Sequence, residues 1–223
     1  MGIDRGGVNS HVAREENTVS IAAANKKYAK VVSVDVAKLV DDNGDRLDLS
    51  NTSAVAKWLR DAYQGREVTI ADDGQIVRFT RRGLEDGLKR RGEAQRQTYA
   101  DLDRIVENSI YYSYEPGDSK HPNVDRHKVY YGAADINRHY YGVRLKVNTY
   151  EGSDVGLYKD LAVVKIKTPS PYRGGRPDSN HTSQTEGDKT LVPLQDVKQA
   201  FDHANTNKIS YSTPKVNTQD EKV

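Results

Sequence analysis

The sequence predicts an α+β domain in which N-terminal helices and a β-hairpin pack on a mainly antiparallel four-stranded sheet. Apolar residues recur at helical spacing through residues 51–65 and again through 93–109. Four β-rich runs follow between Ile110 and Lys167, separated by turn residues. Helices grouped ahead of a strand meander indicate segregated elements, not alternating βαβ units.

Taken in order, "VVSVDV" (31–36) is a β-branched run suited to a strand. "DDNGDRLD" resembles a calcium loop only briefly: Arg46 stands where the turn needs glycine and Thr52 where a bidentate glutamate belongs, so it reads as a turn. "SNTSAVAKWLRDAYQG" is a helix with Val55, Trp58, Leu59 and Ala62 on one stripe, a serine or asparagine cap before it and Gly65 after it. "EVTIADDGQIVRFT" reads as a hairpin turning on Asp73-Gly74, which would pair Ile70 with Val77 and Val68 with Phe79. Thr80 caps a short helix holding Leu84 and Leu88, weakened by Gly83 and Gly87. "EAQRQTYADLDRIVENS" is a further helix with Tyr99, Leu102 and Val106 in register, and the strand candidates after it are 110–114, 127–135, 139–150 and 155–167.

The hydrophobic share is 35% and the mean hydropathy is -0.83, so part of the chain is expected outside any core. The organisation expected is a polar segment at 1–29, in which "SIAAANKKYA" suits a short helix, the α+β domain at 30–167, a flexible linker at 168–190, a short amphipathic helix at 191–205 and a disordered tail at 206–223. The helix, with Leu194, Val197 and Phe201 on one side, would dock back on the domain or serve as a partner-binding peptide. Absence of cysteine excludes disulfides, thiolate nucleophiles and cysteine-type zinc sites. No apolar run approaches the roughly 20 residues that span a bilayer, and the first residues lack the pattern of a signal peptide, so no membrane is expected and the cytoplasm is the default location.

Charge is uneven. Six cations from Lys120 to Lys146 face only Asp125 and Asp135, and a second group surrounds Arg81 and Arg91. Arg81, Arg82, Lys89, Arg90, Arg91, Arg126 and Lys128 are therefore candidates for nucleic-acid contacts, with a solvated helix face as the plain alternative.

"DRHKVYYGAADINRHYYGVRLKV" (125–147) gives the sharpest expectation. A two-residue turn at Asn137-Arg138 pairs Tyr131 with Arg144, Val129 with Lys146 and His127 with Asn148. One face then carries Tyr130, Val143, Leu145 and Val147; the other carries His127, Tyr131, Arg144 and Lys146. Imidazole, cations and a phenol on one surface are the parts that metal-free RNA cleavage needs, because the substrate's own 2′-hydroxyl is the nucleophile. No histidine and carboxylate cluster has metal-ligand spacing, so neither metal nor other cofactor is expected. With two phenylalanines against 14 tyrosines, some of these rings must instead be core.

The succession "VTIADDGQIVRFTRRGLEDGLKRRG", "DLDRIVENSI", "HKVYYGAADINRHYYGVRLKV" and "GLYKDLAVVKI" resembles domains of the large polyvalent proteins of phages and conjugative elements, themselves similar to the barnase, EndoU, colicin D and RelE nuclease superfamily. The turn departs from that pattern, with Asn-Arg in place of Asn-Gly. The resemblance implies a metal-independent endoribonuclease of mobile-element or toxin type, with His127 as general acid or base. In that reading Arg144 and Lys146 stabilise the pentavalent phosphate and Tyr131 positions it. The partners expected are RNA or another nucleic acid and an immunity or phage protein, in a phage-infected or target bacterial cell. The alternative is a non-catalytic accessory domain that binds nucleic acid or protein, and a third reading is a structural domain excised from a longer polyprotein.

Overall fold

The computed structural model describes residues 28–88, 92–116, 124, 126–166 and 191–209. The N-terminal segment to Lys27, Lys89, Arg90, Arg91, the linker and the end beyond residue 209 lie outside the described residues. Tyr28 and Ala29, at the end of the expected N-terminal helix, belong instead to the strand β1 (Tyr28–Ser33).

Helix α1 (Thr52–Tyr63) begins where the Asn51 side chain accepts bonds from Ser53 N and Ala54 N, both 3.1 Å, satisfying donors that a helix start leaves open. Val55, Leu59 and Tyr63 are buried, with Trp58 and Ala62 packed beside them. The chain then leaves the helix through Gly65 at φ +81.

Strands β2 (Glu67–Thr69) and β3 (Ile76–Arg78) form the expected hairpin with a different register. Val68 faces Val77, and bonds from Ile70 N to Gln75 O and from Gly74 N to Ile70 O, each 2.9 Å, close a four-residue loop in place of a two-residue turn. The slip is two residues, so parity survives and Ile70, Val77 and Phe79 remain buried.

Thr80 caps α2 (Arg81–Asp86) through a bond from Gly83 N. Gly83 is required there: a Cβ would stand 2.1 Å from the Tyr158 carbonyl oxygen, so the absence of a side chain lets the helix touch the sheet backbone. The single helix expected from residue 93 is broken into α3 (Glu93–Thr98), a 3-10 turn (Tyr99–Asp101) and α4 (Leu102–Glu107). The break has a physical cause in Asp101. Its fully buried carboxylate accepts bonds from Asp35 N (2.7 Å), Lys38 Nζ (2.5 Å) and Arg104 (3.3 Å), tying the helical layer to the segment after β1. Burial opposes its charge, yet the Lys38 bond and the Asp35 amide prevail and hold the carboxyl below its ordinary 3.8.

The remaining elements are β4 (Ile110–Pro116), β5 (Arg126–Ile136), β6 (His139–Thr149), β7 (Val155–Lys165), β8 (Leu191–Pro193) and α5 (Leu194–Ile209). They correct the expected architecture. The sheet is mixed and eight-stranded, in the order β2-β3-β7-β6-β5-β1-β8 with β4 also on β5. β1 runs parallel to β5 and β3 parallel to β7, so the hairpin extends the sheet and does not pack on it. The class remains α+β, with the antiparallel meander β4 to β7 inside a larger sheet.

Each face of this sheet has its own core. On one, Tyr130, Val143, Leu145, Val147 and Tyr158 pack under α1 to α4. On the other, Val129, Tyr131, Ala133 and Ala162 pack under α5 through Leu194, Val197 and Phe201. β8 pairs antiparallel with β1 and delivers α5 to that face. Gly142 lies directly beneath, where a Cβ would be 2.9 Å from Val197 Cγ1.

Helix propensity alone would favour Gly83→Ala by up to about 1 kcal/mol. The contact with Tyr158 reverses that sign, and a net loss of about 1–3 kcal/mol is expected in urea unfolding. An unchanged or raised midpoint would contradict the close approach.

Candidate functional site

Asn137 and Arg138 take positive φ values of 53 and 63, the geometry of a tight two-residue hairpin turn. Asparagine accepts that conformation readily; arginine takes it because the flanking strands are paired along their full length. His127 accordingly faces Asn148, Val129 faces Lys146 and Tyr131 faces Arg144. His127, Tyr131, Arg144 and Lys146 all lie on the α5 side of the sheet.

Within that face the four residues fall into two groups. Tyr131 is four residues from His127 along β5, a separation of about 13 Å at strand rise. Its ring meets Phe201 of α5 at 5.8 Å and Tyr112 edge-on at 5.1 Å, and it is 6% exposed. Tyr112 reaches it because a bulge between Tyr111 and Ser113 inserts an extra residue in β4. Burial pushes the Tyr131 hydroxyl up to about 12, against the neighbouring Arg144. The Arg144 guanidinium lies 5.4 Å from the centre of the Phe201 ring. These two side chains therefore form the seat of α5.

The second group is polar. His127 is 4% exposed, with its Nε2 3.2 Å from Lys159 Nζ. An ammonium has only donors, so Nε2 accepts and the ring proton belongs on Nδ1, which is buried without a hydrogen-bond partner. Lys159 is the extra residue of a bulge in β7, where Lys146 faces Asp160 and Val147 faces Tyr158. The bulge aims a lysine at the histidine, which alternation alone does not foretell. Lys146 is ion-paired with Glu115, the residue opposite His127 on β4. Burial first, and then the Lys159 charge, hold His127 below its ordinary 6.5, while the neighbouring Asn148 and Glu115 act in the other sense.

The described nucleic-acid candidates do not join this cluster. Arg126 and Lys128 point to the opposite face, where Arg126 stacks on Tyr114 (4.8 Å) and Lys128 bonds Asp73 (3.1 Å). They border a cleft of about 580 Å³ that Asp73, Glu151 and Asp154 also line. Arg81 and Arg82 lie on α2 and pair with Glu85 (2.9 Å) and Asp86 (3.6 Å). Lys89, Arg90 and Arg91 fall outside the described residues. Among the described residues, no group of three or more histidines and carboxylates could hold a metal ion, and no helix is long and apolar enough to cross a membrane.

Residues 48–156 match the family model of large polyvalent protein-associated domain 3. No curated protein and no solved structure matches the chain significantly. The family match supports a domain of a phage polyvalent protein and carries no statement of nuclease chemistry.

Because the folded His127 binds its proton less tightly than the unfolded one, the unfolded chain takes up that proton first as pH falls through about 6.5. This residue then removes stability toward lower pH. Replacing Lys159 by methionine is expected to raise the His127 pKa measured by NMR and to reduce that acid-side loss. An unchanged titration would separate the two residues.

Proposed function

We propose that this chain is a non-catalytic accessory domain of a phage polyvalent protein, acting by binding another protein. One observation carries the reading: the basic face that could meet RNA is closed, with Tyr131 and Arg144 under the chain's own helix α5 and His127 buried farther along the same face. A general base must come within about 3 Å of the proton it removes, which a histidine 4% exposed cannot do for a bulky phosphodiester in this arrangement. The candidate cations least open to solvent are matched locally. Lys146 and Lys128 have carboxylate partners, and Arg144 lies over an aromatic ring. Counterion release, the main source of affinity for a polyanion, is weakened when such sheltered cations already have partners.

A second reading is favoured by a different observation, the buried His127 and its half-buried neighbour Lys159, placed by a bulge. Titratable pairs of this kind are found at catalytic sites as well as in structural networks. In this reading the chain is a metal-independent endoribonuclease: His127 moves the proton, Arg144 and Lys146 stabilise the phosphorane, and Tyr131 positions the phosphate. α5 would have to leave first.

The two readings separate in one experiment. The full chain and a Phe201→Ala variant, which loosens α5, are incubated with total RNA in chelator. The accessory reading expects intact RNA from both. Fragments with 2′,3′-cyclic phosphate ends, lost when His127 is replaced by alanine, would overturn it; fragments from Phe201→Ala alone would identify a covered nuclease.

A further inference from the structure

Among the described residues three large apolar side chains stand open to solvent, and one of them, Val40 at 38% exposure, lines a groove of about 430 Å³. The groove runs between the loop that carries Val40, Asp41 and Asp42 and the flank of α1 that carries Ala54, Trp58 and Ala62. Its apolar surface comes from Val40, Leu47 and Trp58, with Ala54 and Ala62 leaving room between them. Trp58 is half-buried against the core with Ala54 and Ala62 beside it, small residues that make space for a large foreign side chain, and tryptophan is the residue that most often dominates binding energy at such anchors.

The rim has a definite charge. Asp41, Asp42 and Asp61 line it with a single cation, Lys57. Lys57 Nζ reaches Asp42 at 2.8 Å and Asp61 at 3.1 Å, so it spans the groove from the helix to the loop. The two carboxylates that clasp it are 80% and 63% exposed, and solvent-facing ion pairs of this kind contribute only about 0–1 kcal/mol. An ammonium or guanidinium from outside can therefore join or replace Lys57 at little cost. The same carboxylates repel phosphate, which excludes a nucleic acid here.

We propose that this groove docks a short segment of a partner protein, in which an aromatic or branched apolar side chain is flanked by lysine or arginine. The proposal rests on the accessory reading and specifies its partner. The apolar side chain would sit against Trp58 and Val40, with its flanking cations on Asp42 and Asp61. Steering by the acidic rim would make association sensitive to salt.

Trp58 is the sole tryptophan, so its emission reports the groove directly. The full chain is titrated with a blocked hexapeptide, Lys-Arg-Leu-Phe-Lys-Arg, and with its acidic counterpart, Glu-Glu-Leu-Phe-Glu-Glu. The expected result is a saturable blue shift with the basic peptide only, weakened by salt. In the Asp42→Asn, Asp61→Asn double variant the apparent affinity should fall by about tenfold or more, as for the loss of a close charge pair. Both positions are exposed, and far-UV circular dichroism checks that the variant is folded. The proposal is overturned by a flat titration, by an equal response to the acidic peptide, or by unchanged affinity in the double variant. It is also overturned if the emission shifts on raising the protein concentration alone, which would make a second copy the occupant. RNA cleavage would remove the accessory reading without moving Trp58 emission, whereas a flat titration with intact RNA removes this proposal alone.

Discussion

The rest of the structure depends on the pairing of β5. β6 runs antiparallel to it over all 11 of its residues, while its other edge is shared, β4 taking the first half and β1 the second. A strand paired on both sides has no spare edge, and Val129, Tyr130, Ala133 and Ala134 along it are buried toward one face or the other. Such a strand requires a layer on each side of the sheet. α1 to α4 supply one; α5, carried back by β8, supplies the other.

The chemistry of the second face follows from that requirement. Its far part is apolar and receives Phe201; its near part keeps His127, Lys159, Lys146, Asn148 and Glu115 as a compact polar network. Buried polar groups usually find partners, and here the imidazole meets one lysine and the second lysine meets a carboxylate, while His127 Nδ1 and Asn148 Oδ1 are buried without a hydrogen-bond partner. Two bulges make the arrangement possible, one turning Tyr112 toward Tyr131 and the other turning Lys159 toward His127. The network fills a closed face of the sheet, and the accessory reading needs no catalytic step from it.

Much of this was legible in the sequence because it is local. Asn51, Gly65 and the stripe through Val55 and Leu59 mark α1, and the alternation on either side of Asn137-Arg138 fixes the register of β5 with β6. The parallel pairs were not legible, since β1 and β3 find partners about 100 and 80 residues away, which the local pattern of each strand does not specify. The break that Asp101 makes between α3 and α4 was not legible either, because a single 3-10 turn leaves the apolar spacing nearly helical. The candidate site was legible in its facing and not in its membership. Parity placed His127, Tyr131, Arg144 and Lys146 on one side, but α5 comes from a distant part of the chain and Lys159 enters through a bulge, neither of which alternation encodes.

Whether the second face is closed in solution can be read most directly from amide hydrogen exchange in the full chain. The account predicts that the amides from Val197 to Phe201 are protected to the same order as those of β5, because α5 and the sheet share one apolar cluster. Exchange of those amides at the rate of a free peptide, while β5 stays protected, would mean that the face is open. It would contradict the account.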